Sequence, residues 1–129
     1  MRQDRIYYEA IAILSIIRKT IKDDYIIVGS DFVLFEIEMT KDKYKKENML
    51  ELYSFVDDIV EYNMDIESKA AMIRKITNMA LLDSLHVACA EYGQSDVFLT
   101  TDDKLIKKGE LMPFSMRIVN PVSYIMETI

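Results

Sequence analysis

Glu36, Asp83 and Asp102 sit where a chain of alternating strands and helices places reactive groups. Asp83 opens the apolar helix of the stretch Leu81 to Lys108, and Asp102 follows the hydrophobic run Asp96-Val97-Phe98-Leu99-Thr100. Glu36 comes shortly after the apolar run Tyr25-Ile26-Ile27-Val28. Helix starts and strand C-termini are the ends at which parallel α/β folds collect ligands. Three carboxylates converging there suit a hard divalent cation, because Mg²⁺ and Mn²⁺ take oxygen donors and Mg²⁺ keeps several waters. Empty, such a cluster repels itself and raises the pKa of its acids. Loaded, it can polarise a phosphodiester and generate hydroxide without a basic side chain. The plain structural alternative makes Asp83 and Asp102 helix N-caps and Glu36 a solvated helical residue.

The other reactive side chains offer less. His86 lies one helical turn after Asp83 and is the only histidine, which leaves a histidine-based zinc site or a Ser-His-Asp triad little to work with. Cys89, the single cysteine, has no base near it in sequence and reads as packing. Lys41, Lys43, Lys45 and Lys46 around Tyr44 form either a solvated face or a guide for an RNA strand. Lys104, Lys107 and Lys108 stand beside Asp102, better placed for phosphate. Among the nine methionines, Met39, Met49, Met72 and Met79 read as core filler, with Met49 and Met72 as alternative partner-surface residues.

Periodicity supplies the elements that must hold these groups. Residues 3–22 form a helix with Ile6, Ala10, Ile13, Leu14, Ile17 and Ile21 on one face and Arg5, Glu9, Arg18 and Lys22 on the other. Asp23-Asp24 end it. Tyr25 to Val28 is a strand buried on both faces, Gly29-Ser30 a turn, and Ser30 the N-cap of a helix Asp31–Met39. A helix over about 45–56 carries Met49, Leu52, Tyr53 and Val56, and Asp58 to Asn63 contains a short strand. A helix over about 66–77 buries Ile66, Ala70, Ile73 and Ile76, and Asn78 ends it in the left-handed conformation. Residues 82–92 form the next helix, ending at Gly93. Residues 96–100 form a strand, Asp103 to Lys108 a short helix, Arg117-Ile118-Val119 a last strand, and Pro121 to Glu127 a closing helix. This alternation means βαβ units: an α/β fold, a three-layer α/β/α sandwich around a mostly parallel sheet, in one domain spanning 1–129.

Composition sets outer limits. At 129 residues, 50% hydrophobic and 29% charged, the chain can bury a core without disulfides. Its lone cysteine fits a reducing compartment. No apolar run reaches the ~18 residues of a membrane helix, and the N-terminus is amphipathic rather than a signal peptide. A cytoplasmic protein is expected. The net charge of −6 disfavours broad binding to nucleic-acid backbone but leaves room for an acidic nuclease site.

The motifs resemble those of the PIN domains, small metal-dependent ribonucleases. The resemblance spans nearly the whole chain. It is carried by Ser30-x5-Glu36, by Leu82-Asp83-Ser84-Leu85-His86-Val87-Ala88-Cys89-Ala90, by Phe98-Leu99-Thr100-Thr101-Asp102 and by Arg117-Ile118-Val119-Asn120-Pro121. In that family four acids surround the metal. The resemblance makes Glu36 the second, Asp83 the third and Asp102, rather than Asp103, the fourth. It implies catalytic and metal roles for these three, with Mg²⁺ or Mn²⁺ as the cation. It further implies substrate-side roles for Ser30, Thr100, Thr101 and Lys104, RNA as substrate, and an antitoxin as a protein partner. Family members begin with a central strand ending in Asp, which has no counterpart here, so an upstream segment, a partner chain or re-pairing of the sheet is expected to close the gap. An upstream segment is preferred.

The expected activity is thus divalent-metal-dependent ribonuclease. The alternatives are a catalytically inactive RNA- or protein-binding module, an N-terminally truncated fragment, and a flavodoxin-like phosphoacceptor domain. A homodimer is expected to cover the apolar surface left by the first helix and the incomplete sheet.

Overall fold

The computed structural model describes residues 2–22 and 25–128, so Asp23 and Asp24, expected to end the first helix, lie outside the described residues. Seven helices and four strands alternate among the described residues. They are α1 (Arg2–Ile21), β1 (Val28–Ser30), α2 (Asp31–Glu38), α3 (Lys43–Tyr53), β2 (Asp58–Val60) and α4 (Met64–Thr77), followed by α5 (Leu81–Tyr92), β3 (Val97–Leu99), α6 (Asp103–Gly109), β4 (Arg117–Val119) and α7 (Pro121–Thr128). The fold is α/β with parallel strands, as expected.

The four strands do not form one sheet among the described residues. β1 pairs in parallel with β2, Val28 opposite Asp58 and Ser30 opposite Val60, and β3 pairs in parallel with β4, Val97 opposite Arg117 and Leu99 opposite Val119. The pairs stay separate. β1 is also shorter at its start than the run Tyr25 to Val28 suggests, because the Ile27 N–H is taken by the Asp57 carboxylate at 2.8 Å instead of by a ladder partner. Gly29-Ser30 continues the strand instead of turning. Gly29 is required by a close approach: a Cβ there would meet Tyr53 Oη and Val56 Cγ1, both at 2.9 Å.

One core joins the two pairs. Val60 of β2, Ile66, Ala70 and Ile73 of α4, Val87, Ala88 and Cys89 of α5, and Leu105 of α6 form a continuous buried cluster, against which Val28, Phe98 and Ile118 pack. α4 lines its core with Ile66, Ala70, Ile73 and Thr77, while the expected Ile76 is 48% exposed. The 66-70-73-77 spacing follows one stripe of a 3.6-residue helix, and position 76 falls beside it.

The buried side of α1 also differs from expectation. Ala12, Ile16, Ile17, Thr20 and, unexpectedly, Glu9 are buried, whereas Ile6, Leu14 and Ile21 are exposed. A buried carboxylate needs partners. Glu9 has two, accepting from Asn120 Nδ2 at 2.6 Å and from Arg5 Nε at 3.1 Å. These bonds fix which face of α1 turns inward. Of the methionines read as core, Met79 is buried, whereas Met39 and Met72 project into solvent.

Helix ends follow local chemistry. The Ser30 hydroxyl accepts from the Val33 N–H at 3.2 Å and caps α2. Asn78 closes α4 at φ 60°, as its residue type suggests. Gly93 closes α5 at φ −75°, and the left-handed residue there is Gln94. Because an L side chain in this region costs roughly 1–2 kcal/mol that Asn partly avoids, Asn78→Ala is expected to destabilise the protein by about 1 kcal/mol. Asn78→Gly is expected to be neutral or slightly stabilising, and urea unfolding midpoints distinguish the two.

Candidate active site

α2 leaves β1 directly from the Ser30 cap, so Glu36 projects from the helix that follows the C-terminal end of β1. The His86 ring from α5 meets it, with Nε2 at 2.6 Å from Glu36 Oε2. A carboxylate only accepts, so Nε2 donates. The imidazole is largely covered, and Nδ1 is buried with no partner among the described residues. Asp83 lies three residues before His86 on the same helix, hence on the neighbouring turn of one face. Glu36 and His86 therefore join α2 to α5, and Asp83 stands one turn earlier on α5.

The third acid, Asp102, follows β3. α5 runs against β1: its early residue His86 reaches Glu36 beyond the end of β1, and the Cβ position of Gly93 at its end comes within 3.4 Å of Val28 at the start of β1. β3 begins four residues after Gly93, so its start lies near the end of α5. Asp102, just after β3, caps α6 by accepting from the Lys104 and Leu105 N–H groups, both through Oδ1. The Thr100 hydroxyl accepts from the Asp102 N–H at 3.1 Å and fixes the turn. Thr101 is exposed, and its carbonyl accepts from Arg5 at 3.0 Å. Lys104 is exposed, and Lys108 Nζ donates to the Asn78 carbonyl.

Glu36 follows the carboxyl end of β1, Asp102 follows that of β3, and Asp83 stands in the first turn of α5, but the three do not form a cage. Among the described residues, no three His, Cys, Asp or Glu side chains are close enough together to hold a metal ion. The expected convergence is incomplete for a physical reason. Glu36 is held by His86, Asp102 turns toward its own helix, and a cavity of about 990 Å³ lined by both β1 and β3 parts the two strand pairs. Glu36 and Asp83 are oxygen donors of the kind that Mg²⁺ or Mn²⁺ takes, and such a cation needs only one or two carboxylates and retains water.

Ser30, expected on the substrate side, is 3% exposed. Its hydroxyl is buried and caps α2. Burial holds the Cys89 thiol above its ordinary pKa, partly offset by the Ser30 hydroxyl and with a small push from the Asp31 carboxylate. Because thiolate is the reactive form, Cys89 in the folded protein at pH 8 is expected to react with an aromatic disulfide reagent at least about tenfold more slowly than in the unfolded chain. Equal rates would show the thiol open to solvent.

Arg5 is a site residue that sequence reasoning left on a solvated face. Its guanidinium grips Asp103 through two bonds at 2.6 and 2.7 Å, pinning the start of α1 beside the Thr101–Asp103 turn. Its hydrogen bonds, helped by its charge, hold the Asp103 carboxyl below its ordinary pKa. The Arg5–Glu9 spacing of four was visible in the sequence, but the partners Asp103 and Asn120 lie 98 and 111 residues away. The contact separates the roles of the adjacent acids: Asp103 is an ion-pair partner, and Asp102 is the one left at the helix start.

No helix among the described residues is long and apolar enough to cross a membrane. No similar protein was found among curated proteins, and no similar chain among solved structures. The family model described as PIN domain matches residues 6–111, from the first turns of α1 to just past α6. That span contains Glu36, His86, Asp83 and Asp102 together with both β1 and β3, and by this match the chain belongs to the PIN-domain family.

Proposed function

We propose that this protein is a ribonuclease that hydrolyses phosphodiesters with Mg²⁺ or Mn²⁺ held by Glu36, Asp83 and Asp102. PIN domains are in general nucleases, commonly bind RNA and use divalent metals. The observation that carries the reading is the Glu36–His86 contact of 2.6 Å, one helical turn from Asp83. A histidine that donates to a carboxylate fixes its orientation, as groups behind metal ligands commonly do.

A bound cation would activate water and neutralise charge developing on the phosphate. The chain's own residues do the rest. His86 aims Glu36, Thr100 holds the Asp102 turn, and Lys104 offers an exposed cation beside it for a phosphate oxygen. Ser30 acts from within, fixing the start of α2. PIN domains also commonly pair with antitoxins, and we assign such a protein partner here, with the enzyme acting in the cytoplasm as a homodimer.

A second reading has its own support. Because the described acids do not gather as a triple, a non-catalytic RNA- or protein-binding module also fits. A calorimetric Mn²⁺ titration, paired with cleavage of single-stranded RNA in Mg²⁺, decides between them. Micromolar binding and cleavage abolished by a chelator support the nuclease. Cleavage indifferent to the chelator would sink the metal role, and RNA binding with neither cation uptake nor cleavage would favour the binding module.

A further inference from the structure

We propose that the outer face of α1 is the surface through which two copies of this chain pair, their α1 helices packing antiparallel around a two-fold axis. This surface would serve the homodimer of the reading above, and it rests on none of the ribonuclease chemistry. α1 carries two stripes of apolar side chains. The inner one, Ala12, Ile16, Ile17 and Thr20 with Glu9, is buried against the rest of the chain. The outer one holds Tyr7, Ile11, Leu14 and Ile21, which are 42 to 64% exposed. At ~100° per residue, the centres of the two stripes lie roughly 150° apart. Whatever packs against the inner face, strand or cavity, therefore leaves the outer one open. Ile6, also exposed, falls nearer the inner stripe and takes no part.

The spacing of the outer stripe is that of a helix-pairing seam. Tyr7, Ile11, Leu14, Arg18 and Ile21 follow one another at steps of four, three, four and three, the two apolar positions of a heptad. Single exposed hydrophobes are ordinary on a protein surface. A continuous row in this register along about four turns is a surface that a second helix fits.

Charge selects the occupant and its direction. Asp4, Arg18 and Lys22 are exposed along the same face. In a parallel pair each Arg18 would stand opposite Arg18 of the second copy and each Asp4 opposite Asp4, setting like charges together. In an antiparallel pair Ile11 meets Leu14 of the second copy, Arg18 meets Tyr7, and Asp4 comes beside Ile21 and Lys22. An arginine over a tyrosine ring is favourable, and Asp4 gains a partner of opposite charge. The seam is thus complementary to itself, as a two-fold contact requires. So short a seam falls at the small end of protein interfaces, below roughly 1,200 Å², and the expected dissociation constant is micromolar.

Sedimentation velocity of the 129-residue chain across the micromolar range tests this, and a monomer–dimer equilibrium is expected there. Leu14→Glu sets a carboxylate against Ile11 of the second copy and is expected to weaken association at least about 100-fold. Because Leu14 is half exposed, the variant should keep the circular dichroism of the parent. Ile6→Glu, off the seam, should leave association unchanged. Oxidative cross-linking reads the direction: Tyr7→Cys chains mixed with Arg18→Cys chains should join to one another, whereas Arg18→Cys chains alone should not. A chain that stays monomeric would overturn the proposal and leave the seam to a helix of a different protein. A dimer indifferent to Leu14→Glu would keep the homodimer and overturn the seam, and self-joining of Arg18→Cys would overturn the antiparallel order. None of these readouts involves RNA cleavage, so failure of the nuclease reading is seen separately.

Discussion

Asp83→Asn is expected to lower metal-dependent RNA cleavage by at least about 100-fold, since a carboxylate serving a cation is worth several kcal/mol in the transition state and 1.4 kcal/mol is a factor of ten. The substitution is well suited to separate chemistry from folding. Asp83 is half-buried in the first turn of α5, and that helix has no side-chain cap at Ala80. The carboxylate's favourable interaction with the helix dipole is worth only about 0.3–1 kcal/mol. Asn keeps the shape and loses only that charge effect. The variant should therefore unfold within about 1 kcal/mol of the parent in urea while its cleavage rate collapses. His86→Gln supplies a graded comparison, because it leaves every carboxylate in place and removes only the imidazole that orients Glu36; it is expected to retain more activity than Asp83→Asn. Full activity of Asp83→Asn would place the chemistry elsewhere.

How much of this was legible in the sequence depends on the range of the interaction that decided each feature. Local signals survive well. Ser30 caps α2, Asn78 turns left-handed and Arg117-Ile118-Val119 is a strand, each decided by residues within a turn of one another. The order of the elements that carry the three acids was legible as well: Glu36 follows β1, Asp83 lies in the first turn of α5 and Asp102 follows β3. What failed was set at long range. α1 shows an apolar stripe through Ile6, Leu14 and Ile21, yet the helix turns Glu9 inward because Asn120, 111 residues away, supplies a donor. The Glu36–His86 contact spans 50 residues and has no local signature. Periodicity does not say how many neighbours a strand has; the open side of β1 was expected only from the family resemblance, whose central strand has no counterpart in this sequence.

Ile73→Ala is expected to be the most damaging single truncation of the core, costing about 3–4 kcal/mol. Ile73 is fully buried at the centre of α4, the helix that packs most extensively against α5. Removing its outer atoms leaves a hole that Ile66 and Ala70 on the same helix and Val87 and Ala88 on α5 cannot fill without moving the seam that carries His86. Against a total stability of roughly 5–15 kcal/mol for a domain, that loss consumes a large fraction. Ile76→Ala removes the same atoms from an exposed position three residues along and is expected to cost less than about 1 kcal/mol. Guanidinium unfolding of the two variants at equal slope isolates the packing term, because helix propensity and chain entropy change alike in both. A small loss at Ile73 would mean that the two strand pairs, rather than the α4–α5 seam, bear most of the stability. With an open slot beside them, the strands have the fewer neighbours, and the seam is where the cooperative core must reside.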